Sequence, residues 1–445
     1  MDSLRAWTEI DLDALALNLR SVGQRAGTGV RIMLVVKQDA YGHGAVAVSH
    51  HALRCGIGAL GVGTSQEALE LRQAGLRGPI LILGTVVEGE LPACLRHEIQ
   101  VGLHAMDRCR SLQKLAQSMG LQARVHLNVD TGMGRLGVSP SLALDLLREV
   151  HAASHLQLAG LMTHLSAPEG GHCPSSHEQL ALFQGLITAA RAEGLPCGWI
   201  HALNSAGLFT DLRAAQGSEA GAEMVRVGIA AYGALPRHLA PPEGLQQVMS
   251  LRSRVVFLKD VPVDAPVGYG SLWRAPRPTR IATLPIGYGH GLPRNLQSWD
   301  VLIGGRRAPL VGQLSMDYTT VDVGHLEGVH VGQEVTLLGK DGEEELRLED
   351  LARNLGTIPH ELTCSLGRLP RPFVGGAVPS LPSQHPATQH PWCPVPPPPR
   401  APPHCPPCAP PHLRTCPLAP FVLAPRPTLP TRSRSALSRP TRPLC

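Results

Sequence analysis

Short apolar runs recur through the first half of the chain, each bounded by glycine or polar residues: Arg31–Val36, Ala59–Gly63, Pro79–Leu83, Ile99–His104, Ala123–Val129, Gln157–His164, Trp199–Leu203 and Met224–Ile229. A strand buried on both faces reads as such a run rather than as strict alternation. Helical spacing appears between several of them, at Glu67–Ala74, Arg108–Met119, Ser141–Val150 and His177–Glu193. Eight β units alternating with helices predict a parallel (β/α)8 barrel over residues 11–240, an α/β architecture. Such a barrel carries its functional groups at the C-terminal ends of its strands. Lys37, Asn204 and Ser205 directly follow predicted strands, His164 ends one, and Arg226 lies within the last.

From about Leu251 the pattern shifts to short strands and glycine-rich turns: Ser253–Leu258, Arg280–Pro285, Val301–Ile303, Ala308–Val311, Thr319–Val323 and Glu334–Leu338, with one helix at Leu348–Leu355. This predicts a separate, mostly β domain over residues 241–375. After Gly376 proline makes up nearly a third of the residues, with four in a row at Pro396–Pro399. Such a segment is expected to be disordered or polyproline-like. Its Cys405-Pro406-Pro407-Cys408 has a Cys-x-x-Cys spacing, which in so biased a tract carries little weight.

Composition narrows the class. The tail holds seven arginines and no Asp, Glu or Lys, and removing those charges from the net +5 leaves −2 for residues 1–375. The basic character therefore belongs to the tail and gives the body no nucleic-acid signature. No apolar run reaches membrane-spanning length, and Met1–Ile10 lacks the basic and apolar regions of a signal peptide, so a cytoplasmic protein is expected. Six of the eleven cysteines (55, 94, 109, 173, 197 and 364) are scattered through the body without metal-ligand spacing and read as reduced thiols. No metal is expected.

Lys37 carries the strongest chemical signal. Lysine occurs four times (37, 114, 259 and 340) against thirty-six arginines, and Lys37 stands at the end of the run Ile32–Val36. A partly desolvated ammonium there loses pKa, and a neutral amine attacks aldehydes. A lysine whose stem merely lines a strand edge fits the same segment. Tyr269, one of five tyrosines, lies between two glycines in a loop-like segment and fits either a surface aromatic or a proton-transfer group. Arg135, in Asp130-Thr131-Gly132-Met133-Gly134-Arg135, is a solvated turn arginine or an anion ligand.

The segment Val35-Val36-Lys37-Gln38-Asp39-Ala40-Tyr41-Gly42-His43-Gly44 resembles the cofactor-lysine motif of alanine racemases. Further matches extend the resemblance from about residue 5 to about residue 374: Asp130–Gly137, Met162-Thr163-His164, Asn204-Ser205, Val225–Ile229, Val267–Ala275, Ser315-Met316-Asp317 and Arg368–Phe373. The resemblance implies pyridoxal 5'-phosphate linked to Lys37, with Lys37 and Tyr269 as acid/base groups on opposite faces of the substrate. Tyr269 would come from the partner subunit of a head-to-tail homodimer, and the first strand (around Ala6–Ile10) would join the β domain. His164 would pack on the cofactor ring, and Arg226 would face its pyridine nitrogen. Tyr41, Asn204, Ser205, Gly228 and Ile229 would hold its phosphate, and Arg135 and Met316 would meet the substrate.

The implied reaction is interconversion of L- and D-alanine, supplying peptidoglycan. There are departures from the family pattern: Asn128 where many members carry a carbamylated lysine, Val227 for proline, His290 for aspartate and Phe373 for tyrosine. A neutral amide at Asn128 supplies no negative charge, so a bound anion is expected to substitute. Asn128 and Phe373 motivate a serine or broader amino-acid racemase as the alternative. A non-enzymatic pyridoxal-phosphate-binding protein, a related decarboxylase and an inactive product are further alternatives. The presence of Tyr269 and of a second domain argues against the first; the cysteine and acidic-substrate signatures of the second are not evident, and the tyrosine loop fits a racemase better.

Overall fold

A computed structural model describes residues 3–167, 174–210, 212, 223–236, 239 and 244–376. The proline-rich tail, with Cys405 and Cys408, and Cys173 lie outside the described residues.

Strand β1 (Ala6–Asp11) precedes eight short parallel strands: β2 (Arg31–Val35), β3 (Ala59–Val62), β4 (Ile80–Ile82), β5 (Gln100–Leu103), β6 (Ala123–Val129), β7 (Leu156–Thr163), β8 (Trp199–His201) and β9 (Met224–Val227). They pair in the order β8-β7-β6-β5-β4-β3-β2-β9. Two backbone bonds span the remaining gap, Glu223 N–H to Ile200 O at 3.1 Å and Arg226 N–H to Leu203 O at 3.0 Å, so the barrel is nearly closed. Leu34, Leu60, Ile80, Leu103, Leu127 and Leu161 are all fully buried. Burial on both faces is why these strands read as continuous apolar runs.

The predicted helices appear with shifted ends. Ser65–Gln73 starts two residues earlier than expected because Thr64 and Glu67 form a capping box, and Pro140–Ala152 starts on its proline. Leu12–Ala26 was not anticipated. Asp11 caps it by accepting from Asp13 N and Ala14 N at 2.9 Å each.

The second domain is a ten-stranded sheet among the described residues. Its strands are β1, β10 (Met249–Arg254), β11 (Phe257–Val261), β14 (Thr279–Leu284), β15 (Asp300–Ile303), β16 (Arg306–Val311), β17 (Thr319–Asp322), β18 (Glu334–Asp341), β19 (Glu344–Leu346) and β20 (Phe373–Val374). β1 runs antiparallel to β10 and parallel to β20, so both ends of the described chain sit in this sheet. The expected single strand Ser253–Leu258 is instead two. The chain changes partner there: Val255 N–H bonds Gln333 O, and Val256 N–H bonds Thr283 O. A small hairpin, β12 (Pro266–Val267) with β13 (Trp273–Arg274), projects Tyr269 at its tip. A helix at Pro359–Leu366, unanticipated from the pattern, packs on the residues after Lys37. None of the described helices is long and apolar enough to cross a membrane.

Candidate active site

The C-terminal ends of the barrel strands open on a cavity of about 210 Å³. Lys37, Tyr41, Asn128, Arg135, His164, Asn204, Ser205, Arg226, Gly228 and Ile229 all line it, as does His360 from the second domain. Val35, Leu83, Met133, Leu136 and Met162 make its apolar wall. Ten residues scattered through nearly two hundred positions of sequence thus converge, as strand-end placement requires.

Lys37 opens a turn of unusual backbone. Gln38, Asp39, Ala40 and Tyr41 all have φ between 52° and 54° and ψ between 40° and 52°. Four consecutive non-glycine residues in the left-handed region cost on the order of 1–2 kcal/mol each, so the surroundings must hold them there. Part of the holding is visible. Glu67 Oε1 accepts from Gln38 N at 2.7 Å, and Asp39 Oδ1 accepts from Ala45 N at 2.7 Å. His43, fully buried, donates from Nδ1 toward Ala40 O (2.9 Å) and Tyr41 O (3.0 Å) and stacks on Tyr232. The Lys37 side chain still reaches solvent through the cavity mouth. Partial desolvation, then the charge of Arg135, holds its pKa below the usual lysine value, against an opposing pull from Glu67. The neutral amine is thereby made more accessible.

The floor of the cavity is a buried polar chain. Arg226 Nη1 donates to His201 Nδ1 at 2.9 Å and to His201 O at 2.8 Å, and Nη2 donates to Thr163 O (2.7 Å) and Ala202 O (2.9 Å). With Nδ1 accepting, the proton of His201 sits on Nε2 and is donated to His126 Nδ1 at 2.9 Å; His126 Nε2–H then donates to Gln100 Oε1 at 2.8 Å. Every bond in that series points one way. It demands neutral imidazoles, and burial together with Arg226 pulls His126 down to about 3 and His201 well below its ordinary value. Burial lowers Arg226 to about 10, which leaves it charged at neutral pH. His164 Nδ1 lies 3.2 Å from Arg226 Nη2, and burial, then the charges of Arg226, Arg135 and Lys37, bring it to about 3. His164 follows β7 rather than ending it.

The opposite wall is built for an anion. Burial raises the Tyr41 hydroxyl well above the tyrosine range, so it remains a donor. A Cβ on Gly228 would lie 2.4 Å from that hydroxyl, so glycine is what lets Tyr41 reach the wall. Ser205 Oγ accepts from Gly228 N (3.0 Å) and Ala230 N (3.3 Å), leaving its own proton to donate. The Gly228 N–H is therefore already engaged. Asn204 spends its Oδ1 on Gly207 N at 3.0 Å. His360 was not recognised as a site residue from the sequence. Its ring centroid is 5.5 Å from that of Tyr41, its buried Nδ1 has no partner among the described residues, and burial, then Lys37, lowers it to about 4. Pro359 at a helix start was the available signal.

Tyr269 and Met316 stand elsewhere. Neither lines the cavity of this chain, and they are 69% and 56% exposed. Their loops meet: Gly268 packs on Gln313, Tyr288 N–H bonds Ser315 O, and Gly289 N–H bonds Met316 O. Leu272, Tyr288 and Tyr318 are exposed on the same loops.

Residues 10–236 match the alanine racemase N-terminal domain, and residues 248–373 match the alanine racemase C-terminal domain. The chain belongs to the alanine racemase family. It is 39% identical over 365 residues to the alanine racemase of Syntrophobacter fumaroxidans, covering 82% of this chain and 96% of that one. To the alanine racemase of Methanococcus maripaludis it is 36% identical over 372 residues, covering 83% and 98%. The crystal structure of alanine racemase from D-cycloserine producing Streptomyces lavendulae matches with a TM-score of 0.77 at 33% identity, over 84% of this chain and 97% of that one. The chain is an amino-acid isomerase, and its family reaction is the interconversion of L- and D-alanine.

Against that family the departures acquire local explanations. His290 Nδ1 accepts from Gly287 N at 3.2 Å, a bond an aspartate carboxylate would make equally well. Phe373 lies against Gly44, where a Cβ would be 2.8 Å from its ring, and does not line the cavity. Asn128 does line the cavity, and its Nδ2 approaches Leu136 O at 3.3 Å and His104 Nδ1 at 3.4 Å.

Proposed function

We propose that this chain racemises alanine with pyridoxal 5'-phosphate linked to Lys37, using Lys37 and Tyr269 as its two acid/base groups. The observation carrying this reading is the convergence of an amine of lowered pKa, a buried charged arginine and a wall of hydroxyl and amide donors in one cavity of an alanine racemase fold.

The cavity suits the cofactor at both ends. Arg226 has no protein acceptor for Nε among the described residues, so Nε–H is free to meet the pyridine nitrogen. Tyr41, Ser205 and the Ile229 N–H suit a phosphate, with His360 Nδ1 beside them. When bound, the cofactor supplies the electron sink that acidifies the substrate α-proton. Arg226 stays charged and hydrogen-bonded by its own donors, so it leaves the ring nitrogen unprotonated, which tempers the sink and favours return of a proton over side reactions. Arg135 at the mouth attracts the substrate carboxylate. The Lys37 amine holds or takes the proton at Cα on one face. Tyr269 serves the opposite face from the partner subunit of a homodimer. Its exposed loop, with Leu272, Tyr288 and Met316 nearby, suits burial against another copy. The cytoplasm is the proposed location and peptidoglycan the destination of D-alanine.

The alternative of a serine or broader specificity rests on Asn128, a neutral amide in the cavity wall. Relative turnover of serine and alanine separates the two. The main reading is tested by solvent deuterium exchange at Cα of L-alanine, followed together with circular dichroism, on cofactor-loaded wild type and Tyr269→Phe. Inversion with exchange is expected in wild type, and inversion slowed by roughly 10²–10⁴-fold in the variant. A loaded wild type that neither exchanges nor inverts alanine would end this reading.

A further inference from the structure

The left-handed turn after Lys37 is held from outside the cavity as well as from within. Arg371 lies in the segment entering β20, more than three hundred residues from Lys37, yet its Nη1 pairs with Asp39 Oδ2 and donates to Gly42 O at 2.9 Å. Asp39 Oδ1 is at the same time the acceptor for Ala45 N. The backbone around these contacts leaves no room for drift. A Cβ on Gly42 would fall 2.2 Å from Thr363 O, and one on Gly367 would fall 2.3 Å from Gly42 Cα. Neither Asp39 nor Arg371 lines the cavity.

We propose that Arg371 is a positioning residue for Lys37: by gripping Asp39 and Gly42 together it maintains the left-handed turn, and so fixes where the Lys37 amine stands. The second domain is thereby part of the lysine's support. A direct charge effect predicts something different. Removing a positive charge would raise the Lys37 pKa, and removing the Asp39 carboxylate would lower it. Loss of the turn lets water reach the amine whichever partner is lost, and so raises the pKa in both cases. The charged and titratable groups facing Lys37 are Arg135, Glu67, His164, His360 and Cys364, and none of them is altered by these substitutions.

The test is competitive acetylation of the full chain across pH, read by peptide mass spectrometry, with Lys114, Lys259 and Lys340 as internal references. In both Arg371→Gln and Asp39→Asn the labelling midpoint of Lys37 should rise by about half a pH unit or more. Asparagine keeps the acceptor for Ala45 N, so only the pairing with Arg371 is removed. With cofactor bound, both variants should lose about tenfold or more in kcat with KM changed less than about threefold, and the double variant should be no worse than the poorer single. Both bonds leave from one nitrogen, so Arg371→Lys should restore the midpoint and kcat to within about twofold. Opposite shifts in the two single variants, an unmoved midpoint, or additive losses in the double variant would overturn the proposal. The functional consequence rests on Lys37 being the cofactor amine. If pyridoxal phosphate fails to protect Lys37 of wild type from acetylation, that assignment falls, while the shifts in the cofactor-free protein still decide whether Arg371 holds the turn.

Discussion

The cavity on the barrel and the tyrosine loop on the β domain are opposites in construction. The floor of the barrel cavity is tied together within its own chain: Arg226 reaches His201, His201 reaches His126, and His126 reaches Gln100. The tyrosine loop and its neighbour offer Tyr269 at 69% exposure, Leu272 at 73% and Met316 at 56%, largely uncovered by the described residues. A buried polar series fixes geometry when its members are partnered, and the run from Arg226 Nη1 through His201 and His126 to Gln100 is made within one chain. An exposed aromatic loop has a defined setting only when something packs on it. On the proposed reading, one half of the chemistry is preorganised by folding, and the other half would be set by association.

The sharpest way to break that comparison is complementation. Lys37→Ala and Tyr269→Phe should each be nearly inactive alone, the former by several orders of magnitude. If Tyr269 serves the neighbouring site, a heterodimer of the two variants contains one site with both groups intact. Unfolding, mixing and refolding them at equal concentrations should restore about a quarter of wild-type activity, because about half the dimers are mixed and half their sites are whole. No recovery, from variants that do form mixed dimers, would place Tyr269 in its own chain's site.

A smaller effect separates the barrel floor from the rest of the molecule by pH. His126 is fully buried with a pKa near 3 in the fold, and His43 near 4, both lowered chiefly by burial from an ordinary value near 6.5. Above about pH 6.5 both states are neutral, and the contribution of these groups to stability is fully present. As pH falls below 6.5 the unfolded chain takes up protons that the fold refuses, so stability is lost progressively until the folded pKa is reached. Each such histidine should cost on the order of 1 kcal/mol between pH 6.5 and 5.5. Urea unfolding at pH 7.5 and 5.5 should show this loss. His126→Gln, which keeps an amide in place of the imidazole, should reduce it by about one histidine's share. An unchanged pH difference would mean that the floor is not the acid-sensitive element.

What could be read without coordinates follows from the same contrast. The eight barrel strands were legible because burial on both faces leaves largely apolar runs, as in Ala59–Val62 and Ile80–Ile82. Lys37 and Arg135, which line the cavity, were legible because their flanking residues form long, unusual words. The left-handed turn was not, because Gln38, Asp39, Ala40 and Tyr41 include residues that do not favour positive φ; they are forced there by Glu67 and by tertiary packing. The partners of Arg226 were hidden for another reason. His201 and His126 sit inside strands where a histidine looks like any half-polar strand residue, and only closure of the barrel brings them within 2.9 Å of each other. His360 and Arg371 come from the far end of the chain, and no local pattern joins them to residue 37.

The smallest expected effect concerns the other end of the comparison, where the β domain gives way to the proline-rich tail. We propose that the residues beyond Gly376 are dispensable, and the last described contacts say where to cut. Gly376 N–H donates to Asp13 Oδ1 at 2.9 Å, and a Cβ on Gly375 would meet Asp13 Oδ2 at 2.4 Å, so these two glycines close against the first turn of the helix Leu12–Ala26. Truncation after Gly376 should keep kcat and KM within about twofold and leave the unfolding midpoint unchanged, because no contact described in the fold is removed. Truncation after Val374 should keep activity but cost about 1 kcal/mol, the worth of one hydrogen bond at a partly exposed site. The difference between the two cuts matters more than either alone. A stability loss confined to the shorter chain assigns the effect to Asp13 and its two glycines, whereas loss of racemisation on cutting after Gly376 would show that the tail belongs to the working enzyme.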